Sequence, residues 1–314
     1  MEIVKFSREH IKEAKQIARE NYYEECEKVH ILPQIEEMPD LKDFADNGLG
    51  VAAFEGKQMI GFLCCRSPWE NAFDSLAIGT FSPIHAHGAI KNNREKIYMK
   101  MYEKAAQVWV KHKIGYHGIT LYAHDEAAIR AFFTYGFGLR CIDAMRMTTC
   151  IEVEDSKDII FEELAFDEMI KVRALRQLLS THFGKSPCFM YESDECFNES
   201  VVQREKSNHR VFVAKDGDKT IAFVEIADEG ENFVTEVSDV KNICGAFCLN
   251  EYRGKNITQN LINFVMKQLQ KEGYSRLGVD FESFNPTAQA FWKKHFEVYT
   301  NSLVRRIDEC AFKA

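Results

Sequence analysis

No run in this sequence approaches the roughly 18 successive apolar residues that a membrane helix needs. Its longest apolar stretches, such as residues 243–249, are of strand length. Residues 1–10 alternate apolar and charged side chains and lack the apolar core of a signal peptide. The ten cysteines contain no Cys-x-x-Cys pair, and several (Cys64, Cys65, Cys244, Cys248) sit inside apolar runs. That argues against a disulfide scaffold or a zinc site, and for free thiols in a reducing, cytoplasmic setting with no membrane partner. A basic excess is also missing: 40 Lys and Arg stand against 48 Asp and Glu, a net charge of −8. Neutralising a nucleic-acid backbone needs a basic face, so nucleic acid is set aside as a partner. The acidic balance tilts instead toward cationic small molecules.

What is present is ordinary globular material, 46% hydrophobic and 28% charged. A chain of 314 residues suggests about two domains. It also repeats itself once. Residues 118–123 read as a strand, followed by a helix over residues 127–135 and the aromatic Phe137. Residues 277–281 do the same, with Asn285-Pro286 opening a helix that closes on Phe296. Each half begins with a strand and a helix (residues 2–6 and 8–27; residues 159–164 and 167–181). Each continues with a hairpin, around Glu55-Gly56-Lys57 and around Asp216-Gly217. The expected fold is α+β (α/β layered), two domains over 1–151 and 159–314, each a mixed twisted sheet flanked by helices, joined by the polar residues 152–158.

The most informative stretch is residues 243–259. An apolar strand runs to Leu249, a loop carrying Arg253, Gly254 and Lys255 follows, and a helix starts with Ile257, Leu261, Val265 and Leu269 at spacing four. The helix stops at Glu272-Gly273. Strand, glycine-containing basic loop and helix N-terminus together make an anion site: free backbone N–H groups and the helix dipole point at a phosphate. Arg253-Gly254-Lys255-Asn256-Ile257-Thr258 resembles the acetyl-CoA loop of the GNAT superfamily of N-acetyltransferases, whose motif is Gln/Arg-x-x-Gly-x-Gly/Ala. Asn285-x-x-Ala288-x-x-Phe291-Trp292 resembles that family's last motif, whose Asn meets the pantetheine arm. The resemblance covers the second half, and the fold-level likeness extends to the first.

Asn256 and Thr258 stand where the motif has glycines. Asn tolerates a left-handed backbone best among non-glycine residues, and Thr258 brings a hydroxyl to the helix start. The first half keeps the fold signals without the loop. Residues 94–100 read as helix with no glycine, and the nearest glycine is Gly88. The resemblance therefore implies one coenzyme-binding half, the second, and a degenerate first half.

It also implies the chemistry: transfer of acetyl from acetyl-CoA, as co-substrate, to a primary amine of a small molecule or peptide by direct attack. Phe247, Cys248 and Leu249 would lie along the thioester, and Arg253, Gly254, Lys255, Asn256, Ile257, Thr258 and Asn285 along the rest of the coenzyme. The family's proton-donating Tyr is absent: Phe291 and Trp292 occupy its place, and Tyr299 on the next strand is the substitute. Glu225, in an otherwise apolar strand, is the candidate base, with a pKa that burial should raise; Glu231 and Asp280 are alternatives. The acidic, aromatic residues 191–199 border the acceptor site in this fold or form a solvated helix start. Acidic pI and acidic loops point to a polyamine, an aminoglycoside or an N-terminal amine, with peptides and amino acids open. His85-x-His87 and Cys244-x-x-x-Cys248 raise a metal site and an acyl-cysteine, but neither has a spaced partner, so no metal is expected. A non-catalytic coenzyme-binding or interaction module is the alternative function. A homodimer is left open.

Overall fold

A computed structural model describes residues 1–206, 209–228 and 230–313. Its contacts divide the chain into two units, residues 1–142 with 298–314, and residues 143–297.

Unit 1 runs β1 (Glu2–Lys5), α1 (Ile11–Cys26), α2 (Lys42–Asp46), β2 (Val51–Glu55), β3 (Gln58–Leu63), β4 (Gly79–Ser82), β5 (His87–Ala89), α3 (Arg94–Lys111), β6 (Tyr116–Tyr122), α4 (Glu126–Thr134) and the start of β7 (Gly138–Met147). One sheet has the order β1-β2-β3-β5, and β4 pairs parallel with β6 in another. The core gathers Leu63, Tyr98, Met101, Trp109, Phe132 and Leu303, buried between the strands and α3.

Unit 2 takes over at Asp143 and continues with β8 (Ile159–Glu163), α5 (Arg173–Gly184), α6 (Asp194–Lys206), β9 (Arg210–Asp216), β10 (Lys219–Ala227), β11 (Val240–Cys248), α7 (Ile257–Lys271), β12 (Arg276–Glu282) and α8 (Pro286–His295). Its strands lie in the order β12-β11-β10-β9-β8. The Asp216-Gly217 hairpin forms as the sequence says, with Gly217 at φ +56°.

The last strand, β13 (Glu297–Arg306), departs from the sequence-based boundaries. From Val298 on it belongs to unit 1, pairing antiparallel with β6 from Thr300↔Tyr122 to Arg306↔Tyr116. The first half in turn gives its own closing segment to unit 2: Thr148 N–H donates to Ser275 O at 2.9 Å. Each half's final strand thus serves the other half. Neither closing strand has a clean alternation (Gly138–Met147 and Glu297–Arg306), so periodicity does not tell which neighbour each will choose.

Two features of unit 2 position a site. The parallel pairing of β11 with β12 runs from Val240↔Arg276 to Ile243↔Val279 and then ends, although β11 continues to Cys248 beside β10. The two strands therefore splay. The β10–β11 register also shifts between Glu225 and Ile226, where a bulge leaves Cys244 as the extra residue. Both features fall within a few residues of one another.

Candidate functional site

Beyond the splay, the β12-facing side of β11 has no strand to bond. Leu249 N–H donates to Ile221 O at 2.9 Å. By the strand's period of two, Phe247 and Gly245 also face β10, and the N–H groups of Ala246 and Cys248 face the gap. These are the open backbone donors that acyl transfer needs for an oxyanion.

A cleft of about 420 Å³ opens along this edge. It collects Phe247, Cys248, Arg253, Gly254, Ile257, Thr258 and Asn285 from the sequence-based set, and adds Ala246, His182 and Phe291. The loop into α7 has the required shape. Asn256 holds φ +60° at the helix N-cap, the left-handed conformation expected of the missing glycine, and no side chain caps the helix. The N–H groups of the first turn are therefore left for a ligand. Gly254 sits at φ +74° with open space where a Cβ would be, so backbone can approach a bound group closely. Replacing Asn256 with Val should cost about 1–2 kcal/mol, because a branched Cβ clashes in that region, while Asn256→Gly should be close to neutral. Chemical denaturation of the two variants reads the difference.

Arg253 lies back against the strand. Its Nε donates to Cys248 O at 3.1 Å and its guanidinium sits 5.5 Å from the Phe247 ring centre. It closes the cleft as a cationic wall. Asn285 caps α8, its Oδ1 accepting from Ala288 N–H at 3.3 Å and lying 3.3 Å from His182 Nε2. Its amide nitrogen is thus the end available as a donor. Lys255 and Asn256 line a separate shallow recess with residues 154–157, and the Lys255 ammonium sits 5.3 Å from the Tyr252 ring centre. Leu249 packs on the core.

Neither sequence-based catalytic residue sits as expected. Tyr299 is fully buried on β13 within unit 1, its carbonyl accepting from Ala123 N–H, and it does not line the cleft. Glu225 is buried (1% exposed), but its pKa is lowered, not raised. Burial pushes it up, and the Arg204 and Arg176 guanidiniums and the His209 hydrogen bond more than reverse that push. Arg176 Nη2 lies 3.0 Å from one carboxylate oxygen; Arg204 Nη1 (3.1 Å) and His209 Nδ1 (2.7 Å) share the other. A carboxylate so held stays ionised and is a poor base.

Asp280 has the properties that Glu225 lacks. It is the first β12 residue past the last pair with β11. It is exposed by surface area, while protein crowds its carboxyl group. Its pKa is raised well above the usual carboxylate range, first by burial and then by Glu231, Asp143 and Glu282. Its charge reaches the Cys244 thiol. Cys244 itself lines a second cavity of about 200 Å³, together with Arg176, Arg204, Glu225 and Gly245. Leu179 lines both cavities, and the successive residues Gly245 and Ala246 line one each.

The remaining candidates resolve structurally. The His87 ring contacts Tyr98 Oη (2.9 Å) and Thr120 O (2.6 Å), and burial lowers its pKa to about 4. The His117 ring contacts Tyr102 Oη and Ile114 O. Among the described residues, His209, Glu225 and Cys244 bring three ligand types within 4.8 Å, but the Arg204 guanidinium already occupies the cationic position beside Glu225. Burial pushes the Cys244 thiol up to about 12, and the Cys248 thiol also rises. Neutral thiols are weak nucleophiles, which argues against an acyl-cysteine. Residues 194–199 open α6, with Phe197 buried and Tyr191, just before it, exposed.

Residues 172–296 match the model of the acetyltransferase (GNAT) family. A GCN5-related N-acetyltransferase from Sphaerobacter thermophilus aligns with 97% of this chain and 95% of its own, at TM-score 0.59 and 11% identity. A GCN5-related glucosamine N-acetyltransferase region of a fungal multi-domain GH3 β-N-acetylglucosaminidase aligns with 96% of this chain and 38% of that one, at TM-score 0.53 and 11% identity. These likenesses show the fold across both units. No curated protein matches the chain. The splay between β11 and β12 lies inside the matched segment.

In unit 1 the corresponding helix start is α3. Asn93 holds φ +57° there, as Asn256 does before α7, and Asp125 caps α4 as Asn285 caps α8. The surroundings differ. Arg94, the first residue of α3, is tied to Glu24 (2.7 Å) and Asp125 (3.2 Å), and Glu25, Glu27 and Glu126 line the same cavity. Lys28, Lys91 and Arg130 line it as well, but Glu24 and Asp125 already take up the Arg94 guanidinium at the helix start, so it is less free to hold an anion. Among the described residues, no helix is long and apolar enough to cross a membrane.

Proposed function

We propose that unit 2 transfers acetyl from acetyl-CoA to a primary amine by direct attack, and that unit 1 binds no coenzyme. The observation that carries this reading is the uncapped turn into α7, whose Gly254, Ile257 and Thr258 line the cleft at the end of the unpaired β11 edge. The α7 N-terminus with Arg253 would hold the phosphates, Asn285 would meet the pantetheine amides, and the thioester carbonyl would accept from the Ala246 and Cys248 N–H groups.

Asp280 is the base in this scheme. The acceptor ammonium gives one proton to Asp280; the amine then attacks the carbonyl, so that a C–N bond forms and the C–S bond breaks. The second amine proton passes to the departing thiolate, so no tyrosine on α8 is required. The free thiols fit a cytoplasmic protein.

Calorimetric titration with acetyl-CoA should find one site per chain. Arg253→Ala should weaken binding about 5- to 10-fold, the effect of one charge-assisted contact, without changing the melting temperature. Two sites would overturn the reading of unit 1, and unchanged affinity would overturn the role of Arg253. The second reading, a non-catalytic coenzyme-binding module, draws on Phe291 lining the cleft where the family's Tyr would stand. Thiol release in the presence of an amine panel separates the two.

A further inference from the structure

The acidic composition suggested a cationic acceptor, but the cavity beside the splay is lined differently. Arg176 projects from α5 and is 6% exposed. Only its Nη2 is engaged, at 3.0 Å from Glu225. Its Nε and Nη1 are buried and make no hydrogen bond among the described residues. A buried guanidinium with two idle donors is unfavourable until an acceptor atom reaches it. Arg204, Glu225 and Glu192 line the same cavity. Glu225 is shared between the two guanidiniums, so each is only partly neutralised by it. Apolar walls from Leu179, Phe183 and Phe223 close a space of about 200 Å³, on the scale of a free amino acid and too small for an aminoglycoside.

We propose that the acceptor is a small amino acid-like molecule whose own carboxylate binds Arg176 in this cavity while its amine points to the β11 splay and Asp280. The proposal deepens the acetyl-transfer reading and rests on it. Guanidinium and carboxylate are matched in charge and hydrogen-bonding pattern. Held at that end, the substrate would lie beside Gly245, which lines the cavity. Asp280, with Glu231 and Glu282 acting on it electrostatically, would offer negative charge to the ammonium end. Opposite charge at the two ends would orient a zwitterion in one direction only.

The test uses matched pairs, each an L-amino acid and its carboxamide, with acetyl-CoA and the full chain, reading thiol release. The expected result is kcat/KM for the preferred acid at least about 30-fold above its amide, the range for a buried charged contact. Arg176→Gln should bring that ratio to within about threefold while acetyl-CoA affinity stays unchanged. Arg204→Gln, on the half-exposed rim, should narrow the ratio too, and stands in if Arg176→Gln fails to fold. Equal rates for acid and amide throughout the panel, or no turnover and no binding of any acid, overturn the proposal. Failure of the acetyl-transfer reading would show separately, as absence of acetyl-CoA binding by calorimetry. In that case the same pairs, titrated without coenzyme, decide the carboxylate site: acids binding above amides sustain it, and equal or absent binding overturns it.

Discussion

Replacing Asp280 with Asn should lower kcat by about 10²–10⁴-fold, the range for loss of a general base, with acetyl-CoA affinity unchanged. Asp280 sits past the end of the β11–β12 pairing and does not line the cleft with the loop that would hold the phosphates. The pH profile carries the same information. Burial and three neighbouring carboxyl groups raise its pKa, so kcat/KM should climb as pH rises through that raised value and then level off. In Asp280→Asn the residual rate should lose that limb. Stability should move the opposite way. An acid whose folded pKa is raised favours the protonated fold: its contribution is fully present below the ordinary value of 3.8 and is lost as pH rises toward the folded pKa. Asp280→Asn should therefore melt higher than the parent at pH 7. A variant that melts lower and keeps full turnover would remove Asp280 from the mechanism.

Glu225→Gln should destabilise unit 2 by about 3–5 kcal/mol, the cost of breaking a buried ion pair from one side. Arg176 and Arg204 lose their counter-charge at once, and His209 loses its carboxylate partner. Arg176 lies almost wholly inside the protein, so its charge would then be buried without a counter-charge. The double variant Glu225→Gln with Arg176→Met should recover part of the loss, because removing both members leaves less charge stranded. The pH dependence has a definite sign. The folded pKa of Glu225 lies below its ordinary value of 4.5; the stabilisation is thus present above 4.5 and disappears as pH falls through the lower folded value. Urea denaturation at neutral and acid pH measures both effects. A cost below about 1 kcal/mol at pH 7 would mean that the cluster is held by the surrounding packing and not by its charges.

These two carboxylates exchange the roles that strand context alone suggests. Glu225 looks like the base because it stands alone in an apolar strand, but the residues that hold it ionised come from α5 and the end of α6, 49 and 21 positions away in sequence. Asp280 reads as one of several strand charges. Its environment depends on where β12 leaves β11 and on Glu231, Asp143 and Glu282. Tyr299 fails for a similar reason: β13 joins β6, a choice of partner that no local pattern encodes.

The sequence by itself determined the local pieces: the Asp216-Gly217 hairpin, the strand–loop–helix around Asn256, the Asn285 cap and the helix stop at Gly273, which holds φ +91°. Each depends on backbone preferences and apolar spacing within a few residues, and these are written in the residue order. Tertiary structure decided which half each closing strand serves, which carboxylate is ionised, and that Arg176 keeps two idle donors inside a cavity. Those properties come from charge, burial and pairing among residues dozens of positions apart, and they exist only once the sheet is assembled and water is excluded.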